Sequence, residues 1–366
     1  MKETVLGGTA FYPSSMHLDD LVLQISPWLQ SEGKDGDVVV SCRVRLARNL
    51  SGFPFPVRAA EQDRRQICQD IQKITEELWN IEDFFVCQPK SLTQVDRDFL
   101  LERHIISQDV ADSEHAHSVI IEKQERFYIT VNEEDHIRIS AAASGFSPQD
   151  VWEQVNQIDE LLGSKLDYVF HEKYGFLTSC ITNTGTGMKL DIMLHLPALA
   201  MIGEIDKVMR SLTKASLISR GLLGEGAHIL GDIYLVSNRI TTGKSEMELI
   251  AKMNDLIPQI ADAERQARTF LMTNRHEIVA DRCSRAFGAM RTARTISNVE
   301  TIQHISSLRF GIHTGLLDNI GIETVNALQL HTQPAHLQKL QGGLMPQVDL
   351  DIARATLIRQ RMEEQL

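Results

Sequence analysis

Glu133-Glu134-Asp135-His136, followed two positions later by Arg138, gathers three acids, an imidazole and a guanidinium into one short stretch. Charges so close together are costly to order unless each finds a partner. Acids at this density can hold a cation or a metal-bound nucleotide, and the guanidinium can hold a phosphate; the alternative is a solvated hairpin end. Arg43 and Arg45 make a second group. Alternate residues of a strand leave the same face, so both guanidinium forks project together and suit a polyphosphate. On an exposed edge strand the same charges would only deter aggregation. Cys180 precedes a third group, Thr182-Asn183-Thr184-Gly185-Thr186-Gly187-Met188-Lys189. Small residues let backbone N–H groups approach phosphates, although a plain tight turn reads the same way. A cysteine beside cations gains thiolate character, whereas a buried structural cysteine is inert. Arg220-Gly221-Leu222-Leu223-Gly224-Glu225-Gly226 is a fourth group, either a loop that closes on a ligand or a surface turn. Two motifs fail. Gly243-Lys244-Ser245 ends like a phosphate-binding loop, but Asn238 stands at the required earlier glycine, and His171-Glu172 has Gly175 where a zinc-protease helix needs its second His.

The elements that must position these groups are legible in outline. Val38-Val39-Val40 reads as a buried strand delivering Arg43 and Arg45. Phe127 to Val131, aromatic and β-branched, reads as a strand running into the acids, paired with Ser118 to Ile121 as an antiparallel hairpin. Ile67, Ile71, Ile74 and Leu78 predict an amphipathic helix over 60–79. Ser147-Pro148-Gln149-Asp150 opens another helix, with Ser as cap, inner stripe Val151, Val155, Ile158 and Leu162, and Gly163 as its stop. Ser245 and Glu248 form a capping box for a helix that Pro258 should kink or end. Strand-like runs disappear after about residue 260. The chain therefore divides into a mixed front part, 1–260, and a small helical domain, 261–366.

The totals bound the function class. With 366 residues the chain can build about two domains. Forty-nine acids against 37 bases give a net charge of −12, which argues against general nucleic-acid binding. The five cysteines, Cys42, Cys68, Cys87, Cys180 and Cys283, form no C-x-x-C pair and no disulfide framework, so a reducing cytoplasm is expected. No signal-type segment opens the chain, and the apolar run around Ile192 to Ile202 is too short to span a bilayer.

Taken in order, Ser41-Cys42-Arg43-Val44-Arg45-Leu46-Ala47-Arg48-Asn49, Asn132 to Ile139, Cys180 to Gly187, Arg220 to Glu225 and Ser237-Asn238 resemble the phosphagen-kinase (ATP:guanido phosphotransferase) superfamily. His195-Leu196-Pro197-Ala198-Leu199, Gly243-Lys244-Ser245-Glu246, the short segment before Arg43 and the tail around Leu330 to Pro334 and Gly342-Gly343 resemble its bacterial protein-arginine kinase (McsB-type) branch. The resemblance implies an α+β fold, a large antiparallel sheet flanked by helices, followed by a small all-α domain that dimerises. It implies transfer of the γ-phosphoryl of Mg-ATP to a guanidinium nitrogen of arginine in proteins, marking them for a Clp protease with a zinc-containing activator assisting. Kinases of free arginine or another small guanidine, and a weakly active phosphoarginine-binding adaptor, are the competing readings.

The resemblance also assigns roles. Glu134, Glu225 and Cys180 would contact or activate the acceptor guanidinium. Ser41, Cys42, Arg43, Val44, Arg45, His104, Arg138, Lys189, Leu190, Asp191, Ile192, Met193, Arg220, Gly221 and Gly224 would hold the nucleotide. Glu133 and Asp135 would reach magnesium through water, since Mg²⁺ keeps much of its hydration shell. Three departures stand out. Lys189 replaces a family arginine, Ile181 replaces the proline after the cysteine, and Leu350 replaces the first arginine of an R-D-x-x-R-A motif that binds phosphoarginine. Asp351 and Arg354 are what remains of that motif, either as half of a regulatory site or as an ion pair on a helix surface.

Overall fold

The computed structural model describes residues 18–30, 32–221 and 230–364. In chain order it runs β1 (Val39–Arg48), α1 (Glu61–Leu78), β2 (Phe84–Cys87), α2 (Gln94–Glu102), α3 (Gln108–Ala111), β3 (Ser118–Glu122), β4 (Phe127–Val131), β5 (Ile137–Ser144) and α4 (Pro148–Gly163). A small hairpin of β6 (Phe170–His171) and β7 (Gly175–Phe176) follows, then β8 (Met188–His195), α5 (Pro197–Met201), α6 (Ile205–Lys214), β9 (Leu217–Gly221) and β10 (Ile233–Asn238). The rest is helical: α7 (Glu246–Asn274), α8 (His276–Thr292), α9 (Asn298–His313), α10 (Ile322–His331), α11 (Pro334–Leu340) and α12 (Gln347–Glu363).

Eight strands form one sheet in the order β2-β3-β4-β5-β1-β8-β10-β9, every neighbouring pair antiparallel. The apolar alternation decides which face is covered. Cys42, Val44 and Leu46 of β1, Ile139 and Ala141 of β5, and Leu190, Ile192 and Leu194 of β8 enter the main core with Val151, Val155, Ile158 and Leu162 of α4 and with Ile257 and Ala261 of α7. The opposite face of the same strands is left for Arg43, Arg45, Lys189 and Asp191.

The strands over Val38–Val40, 118–121 and 127–131 and the helices over 60–79 and from 148 lie as the sequence indicates. Ser147, however, makes no side-chain cap on α4. Ser245 does cap α7, with Glu248 completing the box. Pro258 does not end α7, which continues to Asn274. Buried Ile257 and Ala261 on either side of it keep the helix docked, and Gln259 Nε2 adds a donor to the Asp255 carbonyl (2.7 Å) in the disrupted turn. The division placed at 260 therefore falls inside a continuous helix, and the first break comes at Arg275, between α7 and α8.

Buried polar ties fasten this long helix and the tail to the front part. Glu264, fully buried, accepts from the backbone N–H groups of Ala198 (3.1 Å) and Leu199 (2.9 Å) at the start of α5, and from Arg268 Nε (2.9 Å). Glu102 accepts from the N–H groups of Ala335 (2.8 Å) and His336 (3.0 Å) at the start of α11. Removing one partner of a buried pair strands the other. Glu264→Ala is expected to lower unfolding free energy by about 3–5 kcal/mol; chemical denaturation measures it, and a loss under about 1 kcal/mol would show that water replaces the carboxylate.

Candidate active site

The sheet register assembles the floor of a cleft. Across β1 and β8, Arg43 stands opposite Asp191 and Arg45 opposite Lys189. Across β8 and β10, Ser237 stands opposite Asp191, and Leu235 stands opposite Arg220 across β10 and β9. On the other side of β1, Ala47 stands opposite Arg138. A cavity of about 230 Å³ opens above this floor, lined by Arg45, Ala47, Glu133, Glu134, Asp135, Arg138, Asn183, Gly187, Lys189 and Arg220. Arg45 Nε and Arg138 Nε are buried without a hydrogen-bond partner. Crowding of cations is visible in Arg45: burial lowers its guanidinium to about 10, Asp191 opposing and Arg43 and Arg138 adding to the fall.

One wall is the turn between β4 and β5, where the four adjacent charges divide into three that hold structure and one that is open. Asn132 takes a left-handed backbone (φ 62°), and its N–H donates to the His136 carbonyl (2.8 Å). Its amide donates to the carbonyls of Arg64 (2.8 Å) and Ala116 (3.1 Å), which anchors the turn on α1. His136 is buried, accepting from Leu50 N–H at Nδ1 (3.0 Å) with Nε2 on the Pro54 carbonyl (2.9 Å). Asp135 Oδ1 accepts from Asn49 Nδ2 (2.7 Å) and from Ser179 N–H (2.6 Å), tying the turn to the segment before Cys180. Glu133 Oε2 takes both Thr130 Oγ1 (3.1 Å) and Arg138. Glu134 alone of the four is exposed, its Oε2 held loosely by Asn183 Nδ2 (3.4 Å). Partial burial and the negative charges of Asp135 and Glu133 raise its carboxyl above the ordinary value of 4.5.

The other wall carries Cys180, half-buried, its Sγ 3.0 Å from Thr182 Oγ1. The glycines of the loop that follows serve close packing. Gly187 has φ +66°, and a Cβ there would lie 2.5 Å from the Ala47 carbonyl oxygen and 2.7 Å from Arg48 Nη1. Arg48, buried, is locked by Asp159 (2.6 Å) and the Thr186 carbonyl (2.9 Å) and lies over the Phe176 ring. Asn49 and Arg48, next to the two cleft arginines in sequence, thus hold both walls, a role that residue types alone did not reveal.

Several expected nucleotide contacts are not among the residues that line this cavity. Cys42, Val44, Leu190 and Ile192 point into the main core, so strand alternation removes their side chains from the cleft. Met193 packs with Trp28, Leu29 and Leu330 in a separate small cluster, and Ser41 is buried. His104, left-handed in backbone (φ 62°), stacks near Trp28 (5.1 Å between ring centroids). Burial, with Arg43 nearby, lowers its imidazole to about 3, so it is neutral at physiological pH. Gly221 ends β9 behind Arg220, while Gly224 and Glu225 lie outside the described residues. Asp351 and Arg354 do not form a surface pair. Arg354 is fully buried and donates to Asp351 Oδ1 (2.6 Å) and to the carbonyls of Thr332 (2.9 Å) and Ile296 (2.9 Å), bracing α12 against its neighbours.

Two family models divide the chain. ATP:guanido phosphotransferase, C-terminal catalytic domain, matches residues 66–267, and protein-arginine kinase McsB C-terminal domain matches residues 276–365. Lombricine kinase shares the fold with a TM-score of 0.56 over 68% of this chain and 70% of that one, at 23% identity. The duplicated taurocyamine kinase of Schistosoma mansoni gives 0.57 over 63% of this chain and 33% of that one, at 25% identity. The chain belongs to the ATP:guanido phosphotransferase family. Within it, relatives named protein-arginine kinase match along nearly the whole length: that of Halothermothrix orenii is 35% identical over 95% of this chain and 99% of its own, and that of Symbiobacterium thermophilum 37% over 92% and 96%.

Proposed function

We propose that this chain is a protein-arginine kinase that moves the γ-phosphoryl of Mg-ATP to arginine side chains of proteins. The observation that carries the reading is the cleft itself, where one open carboxylate, Glu134, faces a floor of cations, Arg45, Arg138, Lys189 and Arg220. A guanidinium is a poor nucleophile because it stays protonated in water. Glu134 would hold it, orient it and accept its proton, with Cys180 against the acceptor and Glu225 as a second acid. The arginines would bind the polyphosphate and neutralise charge developing in transfer, which needs positioning more than covalent chemistry. Among the described residues no three His, Cys, Asp or Glu side chains stand together as metal ligands. Magnesium would arrive on the nucleotide and neutralise its phosphate charge. Glu133 and Asp135 suit it through water, since each makes its hydrogen bonds in the turn through one oxygen and both line the cavity.

The same reading extends to a cytoplasmic homodimer joined through the helical tail, assisted by a zinc-containing activator and feeding a Clp ATPase. No described helix is long and apolar enough to cross a membrane. Lys189 favours one second reading, an adaptor that binds nucleotide or phosphoarginine with little turnover. The experiment is incubation with Mg-ATP and either an unfolded protein or free arginine, reading acid-labile phosphoarginine by phosphorus NMR. Label on protein, lost in Glu134→Ala, supports the proposal. Label confined to free arginine makes the chain a small-guanidine kinase, and nucleotide binding without label supports the adaptor.

A further inference from the structure

The cleft contains an anion of its own. Asp191 is buried to 1% exposure in the middle of the cationic floor. Its Oδ2 accepts from Arg43 Nε (3.3 Å) and Nη2 (3.2 Å) and from Arg45 Nη2 (2.7 Å). Its Oδ1 accepts from Ser237 Oγ, which fixes the carboxylate from the far side. Among the described residues Asp191 is the only acid paired with either arginine. The two side chains remain 19% exposed, and Arg45 lines the cleft. Burial alone would raise this carboxyl, but Arg45 and Arg43 hold it well below the usual carboxylate range, so it is charged whenever the protein is folded near neutrality.

A carboxylate bound to two guanidinium forks in this way makes the contacts that a phosphate oxygen would make. We propose that Asp191 is an internal competitor for Arg43 and Arg45, whose charge weakens the hold of this cleft on nucleotide polyphosphates. This rests on the nucleotide-binding reading above. Arg43 is taken through two of its nitrogens, and Arg45 through one. An incoming phosphate must share these donors or displace the carboxylate. It must also bear the repulsion of a fixed negative charge, which at the effective dielectric of a partly buried site shifts binding roughly 10–100-fold. The competitor is built in by register, because the β1–β8 pairing sets Arg43 beside Asp191. The consequence is a kinase that binds ATP loosely and releases ADP readily.

The test compares binding of a non-hydrolysable ATP analogue with magnesium to the full chain and to Asp191→Asn, Asp191→Ser and Asp191→Glu, by calorimetry at fixed ionic strength. The neutral variants are expected to bind about 10–100-fold more tightly and with steeper salt dependence, while Asp191→Glu, which keeps the charge, stays within about threefold of the parent. Equal or weaker binding by folded neutral variants overturns the proposal and makes Asp191 a structural strut. Absence of nucleotide binding in the parent and every variant instead defeats the nucleotide reading beneath it. If the neutral variants do not fold, nitrogen-15 NMR of the parent decides. The Arg43 and Arg45 Nε–H resonances should shift on saturation with the analogue, and unmoved resonances overturn the competition.

Discussion

Replacing Glu134 by Gln is expected to reduce phosphoryl transfer about 10²–10⁴-fold, the usual contribution of a positioned general base, while leaving nucleotide binding within a few-fold of the parent. The argument rests on elimination inside one turn. Asp135 holds Asn49 and the Ser179 amide, Glu133 holds Arg138 and Thr130, and His136 is buried between two backbone groups. Only Glu134 faces the cleft without a strong partner, at the edge where Asn183 and the Cys180 loop approach it. Gln keeps the size and the hydrogen-bonding carbonyl but cannot accept a proton. Single-turnover kinetics with an arginine-bearing protein would measure the loss, and a reduction under about tenfold would move the role of base elsewhere, with Glu225 next to be examined. The pH profile gives an independent reading. Partial burial, then Asp135 and Glu133, raise the Glu134 carboxyl, so the acid limb of kcat/KM should lie above that of an ordinary glutamate. The stability sign is opposite to that of a salt-bridged acid. A carboxyl raised by folding contributes stability that is present below its unfolded pKa and lost as pH rises through its folded value. Above the folded value the ionised carboxylate is the disfavoured form, so Glu134→Gln should there melt no lower than the parent, and a slower reaction could not be blamed on unfolding.

Much of this site could be read from residue types and spacing, and the reasons for the remainder are specific. Alternation put Arg43 and Arg45 on one face because a strand leaves no other choice, and the aromatic and β-branched run before Glu133 had to be a strand for the acids to follow it. What alternation could not supply was register. Asp191 is 148 residues from Arg43, and nothing local in Lys189-Leu190-Asp191 says which strand will lie beside it. The same period that exposes Arg43 buries Cys42 and Val44, so a contiguous motif is split between cleft and core. The long-range polar hubs were hidden for a related reason. Asn49 and Arg48 carry no chemistry of their own, and their value lies in carbonyls and carboxylates that arrive from distant loops and from α4. Pro258 shows tertiary packing overriding a local rule, since the apolar stripe on both sides of it keeps α7 seated after one backbone donor is lost. Arg354 shows a buried strut where sequence alone offered a surface pair or a ligand contact, because its carbonyl partners, Ile296 and Thr332, arrive from the segments before α9 and after α10.

Lys189→Arg is expected to raise kcat about 10-fold or more with a smaller change in KM, since an arginine placed at a developing phosphoryl charge is worth about 10³–10⁵ elsewhere and a lysine supplies part of that as a point charge. Lys189 Nζ donates to the Asn238 carbonyl (2.6 Å), which leaves its remaining protons for the cleft. A planar fork could keep that contact with one nitrogen and offer two more to a phosphate. The alkaline side of the pH profile separates charge from geometry. Burial lowers the Lys189 ammonium below its ordinary value; Asp191 opposes the shift, and Arg45 and Arg220 add to it. Activity of the parent should therefore decline at lower pH than a free lysine would dictate, as the cation is lost. Arginine stays protonated throughout, so the variant should hold its rate into that range. A variant with the same alkaline limb as the parent would assign that limb to another group. A variant faster at every pH by a constant factor would show that bidentate geometry, and not the loss of charge, limits the parent. A variant no faster than the parent, yet still binding nucleotide, would mean that this cleft is tuned around a point charge, with the Arg43–Asp191–Arg45 arrangement beside it already setting how tightly the phosphates are held.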